Sequence, residues 1–315
     1  MLGLLVLDKP EGLTSFDLVA RARRRFGTRR IGHTGTLDPM ATGVLPLCIG
    51  EATRIAQFLS CDDKVYEATV ALGASTDTQD RMGRVMARAP VPCLTRGDVE
   101  AALDRFRGDI EQVPPMFSAI RVNGERLYDM ARRGESVARA ARRVTIQSLE
   151  LLSFEGEHLA LRVACSKGTY IRTLAHDLGE RLGCHAHLTA LRRLRAGRFG
   201  LGEAITLDEL MSLPDEALQA RLISERHALS DLPEVLLGEL DAWRVLNGQK
   251  LSVSELPAID SFCSSDSNDG RRPLRLTSRE SGQLLAVAEC RQRRLHYLRV
   301  FPRTRAVVSS ASTSS

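Results

Sequence analysis

The stretch Gly32-His33-Thr34-Gly35-Thr36-Leu37-Asp38-Pro39 restricts this chain more than any other, because its local chemistry keeps it out of a helix. Gly35 can take a positive φ at little cost, and Pro39 biases Asp38 away from right-handed helical geometry. The expectation is one carboxylate fixed on a turn, placed to act as nucleophile, base or ligand. Taken alone, such an Asp-Pro pair also serves as an ordinary Asx turn or helix cap. The remainder of the sequence has to decide between these readings.

At 315 residues the chain can bury a sizeable core and is expected to hold two domains, one large and one small. No apolar run approaches the roughly 20 residues that span a bilayer. The segment Met1 to Lys9 has no basic leader and reaches Asp8 early, so a cytoplasmic protein without a membrane partner is expected. Seven cysteines without a CxxC pair argue for reduced, mostly buried thiols. Cys184-His185-Ala186-His187 looks like a metal tract, but its ligands are crowded on adjacent residues and no second cluster completes a site.

The net charge of +5 fits a polyanionic partner, and its distribution says more. Arg21, Arg23, Arg24, Arg25, Arg29 and Arg30 precede the Asp38 turn, and Arg192, Arg193, Arg195 and Arg198 form a second cluster. Either could be a solvated face; together, beside candidate site segments, they suggest phosphate binding. Lysine is kept at only four positions, Lys9, Lys64, Lys167 and Lys250. A compact ammonium and a planar guanidinium are not interchangeable, so these positions are candidates for places where Arg does not fit.

Periodicity predicts a buried strand over Leu4 to Leu7, then a helix capped by Thr14 or Ser15 and ended by Gly27. Strands follow at Val44 to Ile49 and Lys64 to Leu72, with a helix over Glu51 to Ser60 between them. A helix over Thr95 to Phe106 precedes Val113-Pro114-Pro115-Met116-Phe117-Ser118, whose prolines forbid helix. Asn123-Gly124 marks a hairpin, and the arginine-rich stretch after it reads as a mobile basic flap that orders against a ligand. Val144 to Leu149 and Leu159 to Cys165 alternate as strands, and Tyr170, Leu174, Leu178 and Leu182 share one helix face. Tyr170 and Arg172 then fall near that helix's first turn, where backbone donors attract anions. From about residue 235, short alternating runs including Leu284 to Ala288 and Leu295 to Phe301 predict a small β module, with a Ser/Asp-rich loop at residues 261–270.

The usual nucleotide cradles are missing: there is no GxxxxGK[ST] and no GxGxxG. An aspartyl-phosphate loop is excluded because Asp38 follows the Thr-Gly-Thr stretch, and Gly32-His33 stands where its nucleophile would be. His176-Asp177 has no nucleophile elbow to serve. The chain resembles instead the bacterial TruB-type tRNA pseudouridine-55 synthase family. The resemblance rests on Asp8-Lys9-Pro10-Glu11-Gly12-Leu13-Thr14-Ser15, on Gly32 to Pro39 continuing through Ala41 to Pro46, and on Gly50-Glu51-Ala52-Thr53. It continues in Lys64-Val65-Tyr66-Glu67-Ala68, Pro114 to Ala119, Gly168-Thr169-Tyr170-Ile171-Arg172-Thr173-Leu174 and Leu191-Arg192-Arg193. Arg121 stands where the family pattern leads us to expect Lys.

The resemblance implies an α/β (α+β) catalytic domain on a mixed, largely antiparallel sheet over residues 1–235, with a basic thumb-like insertion at about 114–143. A small C-terminal PUA-like β-barrel over 236–303 and a disordered tail over 304–315 complete it. It implies isomerisation of the T-loop uridine of tRNA, with no metal or cofactor, no guide RNA and a monomeric enzyme. By similarity Asp38 is the nucleophile, Arg172 pairs with it and holds it ionised, and Tyr66 stacks on the base and helps remove the C5 proton. His33 fills the gap left by the flipped nucleotide, which costs a few kcal/mol to unstack. Tyr170 and Leu191 line the uracil pocket, and Lys9 and Arg192 join the substrate-binding set. Lys9, Lys64 and Lys167 support the turn or touch phosphate. The competing reading is an RNA-folding chaperone that uses the same arginines without chemistry; a guide-directed synthase of the dyskerin type fits the short C-terminal module less well.

Overall fold

Alternating burial along Lys64–Leu72 and His158–Cys165 marks strands with one face on a core. In the computed structural model, which describes residues 3–60, 63–122, 124–252, 256, 273–291 and 294–301, both lie well inside one large sheet. In chain order the elements through residue 221 begin with β1 (Gly3–Lys9), α1 (Ser15–Phe26), β2 (Ile31–His33), β3 (Thr42–Ile49), α2 (Ala56–Leu59), β4 (Lys64–Leu72), β5 (Ala74–Thr76) and β6 (Val85–Arg88). Next come α3 (Arg96–Leu103), β7 (Gly108–Gln112), β8 (Arg121–Val122), β9 (Glu125–Arg126), α4 (Leu127–Arg132), β10 (Arg142–Glu155) and β11 (His158–Cys165). The series ends with α5 (Ile171–Leu182), β12 (Ala186–Ala196), β13 (Phe199–Gly200), α6 (Leu207–Ser212) and α7 (Asp215–Ala220).

The sheet runs β1-β3-β12-β4-β11-β10-β7, with β2 on β3 and β13 on β12. It is mixed: β3 and β12 are parallel, whereas β12–β4, β4–β11, β11–β10 and β10–β7 are antiparallel. Thr14 caps α1 through a reciprocal box with Asp17, and Gly27, at φ 61°, ends it. Ser15, the other candidate cap, clasps the Asp38 turn instead: Leu37 N donates to its Oγ at 2.8 Å.

Two elements differ from expectation. The run Glu51 to Ser60 is not one helix but a 3-10 segment, Gly50–Arg54, followed by α2. The Thr53 hydroxyl donates to Gly50 O at 2.8 Å, a local bond that competes with continuous helix. The second is β12, which the sequence reading left as a basic cluster; Arg192, Arg193 and Arg195 lie on a strand inside the sheet. In the insertion, Leu127 is buried and Tyr128 lies between Arg126 and Arg132, whose guanidinium carbons are 5.7 and 5.4 Å from its ring. Asn123 lies outside the described residues.

The chain divides into two compact units, one of residues 5–49 with 56–221, the other of residues 2–4 and 50–55 with 222–315. The second contains α8 (Glu225–Ala228), β14 (Glu234–Leu237), α9 (Glu239–Leu246), β15 (Pro273–Ser278), β16 (Leu284–Arg291) and β17 (Arg294–Val300). Its described strands form a four-stranded sheet, β14-β15-β16-β17, around Val235, Leu237, Val245, Leu276 and Leu295. The described strands show a small β module, and a closed barrel is not shown among them. The loop at 261–270 and the tail at 304–315 lie outside the described residues. Cys290 departs from the reduced-thiol reading: it is disulfide-bonded. Cys93, Cys165 and Cys184 are free thiols, and Cys93 is exposed.

Helix α5 packs so closely on the start of β12 that a Cβ on Gly179 would sit 2.1 Å from Ala186 N. Gly179→Ala must push helix and strand apart, and should lower the unfolding free energy by about 3 kcal/mol in urea denaturation; unchanged stability would show that the contact is soft.

Candidate active site

Asp38 lies on the turn between β2 and β3, and two buried cations hold that turn in shape. Lys9, fully buried at the end of β1, donates from Nζ to Ala41 O at 2.6 Å, Pro10 O at 3.0 Å and Pro39 O at 3.1 Å. Arg193, buried on β12, donates from Nε to Val44 O at 2.7 Å and from an amino group to Gly35 O at 3.1 Å. Gly35 does not take the left-handed backbone its sequence allows, and a Cβ there would meet the Arg193 guanidinium at an ordinary 3.5 Å. Gly43 has the left-handed backbone, φ 101°, and a Cβ there would lie 2.2 Å from Arg193 O.

Arg172, in the first turn of α5 and nearly buried, faces the carboxylate. Its Nε is 2.9 Å from Asp38 Oδ2, and one amino nitrogen donates to Asp38 Oδ1 at 3.2 Å and to Phe117 O at 2.8 Å. The other donates to Thr78 O at 2.9 Å. A second carboxylate shares this guanidinium: Asp80 Oδ2 is 3.7 Å from Arg172 Nε. The pairing expected from sequence is present, but its effect on titration is not the expected one. Burial, reinforced by Asp80, raises the Asp38 pKa above 3.8 despite the opposing pull of Arg172 and Lys9.

Tyr66, on β4, pairs across the ladder with Val163 on β11 and Arg193 on β12. Its burial raises the phenol pKa, with Arg193 pulling the other way, so it is protonated at neutral pH. Leu191 shares the Tyr66 face of the sheet two residues before Arg193. Tyr170 starts α5 and exchanges backbone hydrogen bonds with the Gln112 amide; burial raises its pKa too. His33, at the end of β2, is half-buried and held toward its neutral form by burial and by Arg193. Its Nδ1 has no hydrogen-bond partner.

Two residues of the expected substrate-binding set are placed otherwise. Arg192 points from the opposite face of β12, where it pairs with Asp8 at 2.7 Å and donates to Thr42 Oγ1 at 3.3 Å. The Lys9 ammonium is turned onto the three turn carbonyls, and burial pulls its pKa down to about 8. Lys64 is buried, donating to Ser60 O at 3.1 Å, whereas Lys167 is exposed. Sequence reasoning missed Asp80, and read Arg193 as part of a basic cluster and of the Leu191-Arg192-Arg193 motif without assigning it a role. The signal for Asp80 was the dense Thr76-Asp77-Thr78-Gln79-Asp80 run, typical of a side-chain-braced turn. His187 Nδ1 bonds Ala74 O and His185 pairs with Glu180, and no group of three metal-ligating side chains occurs among the described residues.

A carboxylate held on a braced turn and clamped by a buried guanidinium has a fixed direction, and its charge is felt by the buried Tyr66 phenol. Against solved structures, the chain matches the chain in the crystal structure of a Cbf5-Nop10-Gar1 complex with a TM-score of 0.75, covering 96% of this chain and 86% of that one at 25% identity. A chain in an H/ACA ribonucleoprotein bound to a substrate RNA containing 2′-deoxyuridine matches with a TM-score of 0.67, at 25% identity over 92% and 78% of the two chains. The fold is that of a pseudouridine synthase. Residues 23–171 match the N-terminal domain of the TruB family of pseudouridylate synthases, and residues 172–230 match the tRNA pseudouridylate synthase B C-terminal domain. A tRNA pseudouridine synthase B of Burkholderia lata is 51% identical over 258 residues, 82% of this chain and 80% of its own. One of Azoarcus sp. is 46% identical over 89% of this chain and 96% of its own. The chain belongs to the TruB family.

The Lys9 cavity fits an ammonium. Lys9→Met would strand buried carbonyls and should cost about 2 kcal/mol of stability. Lys9→Arg overpacks and should cost about 1–3 kcal/mol; urea denaturation of both checks this, and a Lys9→Arg protein as stable as wild type would remove the tight-fit argument.

If Asp38 works ionised, kcat/KM falls as pH drops through its raised pKa, so the acid limb should lie above pH 3.8. Asp80→Asn removes the like charge and frees Arg172 for Asp38, so the limb should move to lower pH; a limb that stays in place would show that Asp80 does not tune the nucleophile.

Proposed function

We propose that this protein isomerises uridine to pseudouridine in the T-loop of tRNA, at position 55. The observation that carries the reading is Asp38, held by a two-point contact with Arg172 on a turn that buried Lys9 and Arg193 brace. The uridine flips from its stack, and His33 occupies the vacated space as an uncharged wedge. Tyr170 and Leu191 wall the uracil. Asp38 attacks C1′ as its bond to N1 breaks; the freed base turns, and C5 bonds to C1′ as the Asp38 carboxylate leaves. The C5 proton leaves and N1 gains one, so product and substrate have the same composition. Tyr66 stacks on the base, and its protonated phenol relays the C5 proton and does not act as a free phenolate. These steps call for no metal, redox centre or cofactor.

We read residues 1–235 as the catalytic domain and the insertion at 114–143 as a thumb that closes on the T-arm, its Phe117 carbonyl already bonded to Arg172. Residues 236–303 are read as a PUA-like barrel that takes the acceptor stem. The enzyme acts as a cytoplasmic monomer without guide RNA. Its relatives' names, the tRNA pseudouridine synthases B of Burkholderia lata and Azoarcus sp., support a tRNA substrate.

The test is tritium release from C5-labelled uridine in a T-arm stem-loop. Wild type should release tritium, and Asp38→Asn should be slower by more than about a thousandfold. No release by wild type would leave the RNA-folding reading in its place, and equal release by both proteins would remove Asp38 as nucleophile.

A further inference from the structure

Beside the catalytic cluster, the β5–β6 hairpin presents a surface that the chemistry does not use. Met82, Val85 and Met86 are 68%, 48% and 63% exposed. They alternate with exposed Arg81, Arg84 and Arg88, and no acidic residue falls between Arg81 and Arg88; Arg84 Nε reaches Asp77 Oδ2 at 3.4 Å in a pair whose arginine side is 87% exposed, an exchangeable surface contact. Apolar side chains in this number on an exposed hairpin contribute nothing to a core, and contiguous exposed apolar surface marks a contact.

The turn that carries them is stiff. Gln79 holds a left-handed φ of 62°, and Asp80 Oδ1 accepts from Thr78 Oγ1 at 2.7 Å and from Met82 N at 2.9 Å. Arg84 N donates to Asp77 Oδ1 at 2.9 Å. A Cβ on Gly83 would meet Thr78 Oγ1 at 2.3 Å and Asp77 Oδ1 at 2.4 Å, so the chain closes on itself here with no room for a side chain. The hairpin's place is equally fixed. Thr78 O accepts from Arg172, Asp80 lies beside the same guanidinium, and Arg81 pairs with Glu11 in the loop whose Gly12 N donates to Pro39 O at 2.8 Å. The turn of the hairpin is thus part of the Asp38 cluster, and the exposed Met82, Arg84, Val85, Met86 and Arg88 follow it directly in the chain.

We infer that this hairpin is an RNA-gripping surface, taking the ribose-phosphate backbone of the substrate beside the flipped uridine. Arg84 and Arg88 neutralise phosphates, and Met82 and Met86 lie against sugar and base faces, where a polarizable, unbranched side chain adapts to an irregular surface. The inference rests on the uridine-isomerase reading. Its charge favours RNA over a protein partner, and because the turn is braced, the contact forms with little ordering cost.

The test uses the full-length protein and an unmodified full-length tRNA transcript, with binding read by fluorescence anisotropy and turnover by tritium release. Arg84→Glu/Arg88→Glu and Met82→Glu should each weaken binding and raise KM about tenfold, with kcat within about twofold and thermal midpoints unchanged. The double variant should also lower the slope of log affinity against log salt by about two. Met82→Leu should bind as wild type. Wild-type affinity and salt slope in the charge-reversed variants overturn the inference while leaving the isomerase reading intact. If wild type releases no tritium, that reading fails by itself, and the anisotropy series still decides whether the hairpin binds RNA. Loss of a dimer in the Met82→Glu variant, with tRNA affinity retained, would make the face a self-contact and overturn the inference as well.

Discussion

Lys9 and Arg193 donate five hydrogen bonds between them to carbonyl groups of Gly35, Pro10, Pro39, Ala41 and Val44. Both side chains are fully buried, so each carbonyl left without its donor would cost about 1–3 kcal/mol. The Asp38 turn can therefore be rigid without belonging to a helix or a ladder, and it delivers a carboxylate already aimed. Much of the fold follows from that requirement. β12 must run inside the sheet because it carries Arg193 to the turn, and β3 must lie parallel beside it. Gly43 has no side chain because the two strands meet where Arg193 O would be struck.

The electrostatics of the site are a compromise between two opposed effects. Burial drives Asp38 toward its neutral form, and Arg172 draws it back toward the carboxylate. A carboxylate fully rescued by its partner would be a poor nucleophile, and one without a partner would be protonated. Asp80, beside the same guanidinium, adds to the upward push. The planar five-donor fork suits this better than an ammonium could, since Arg172 binds two backbone carbonyls while keeping two contacts with Asp38.

Periodic segments were readable from the sequence and irregular ones less so, for a physical reason. β4 was expected over Lys64 to Leu72 and forms there, because side-chain alternation is a local consequence of strand geometry. The first helix, with its Thr14 cap and Gly27 stop, was legible on similar grounds. β12 was not, since three arginines in Leu191 to Ala196 hide the alternation that a half-buried strand normally shows. Asp80 was missed because a Thr/Asp-rich turn looks the same whether it faces solvent or an active site; only the fold brings it to Arg172. Lys9 was noticed for its rarity, but its direction toward carbonyls and not phosphate depends on where β1 ends relative to a turn thirty residues later.

Arginine shows most plainly how far composition can mislead about a binding surface. The formal charge of +5 includes Arg193 inside the sheet, Arg172 against Asp38 and Arg192 against Asp8, none of which faces a ligand as a free cation. These three lie within the motifs that announce the family, so motif and net charge together overstate the basic surface at the catalytic centre. Outward arginines lie elsewhere: Arg24, Arg29 and Arg30 at and after the end of α1, Arg126 and Arg132 around Tyr128, and Arg84 and Arg88 on the β5–β6 hairpin. On the proposed reading, phosphate attraction and catalysis fall on separate arginines. A guanidinium that must fix a nucleophile cannot also exchange with a polyanion, because every phosphate contact would loosen the aim of Asp38.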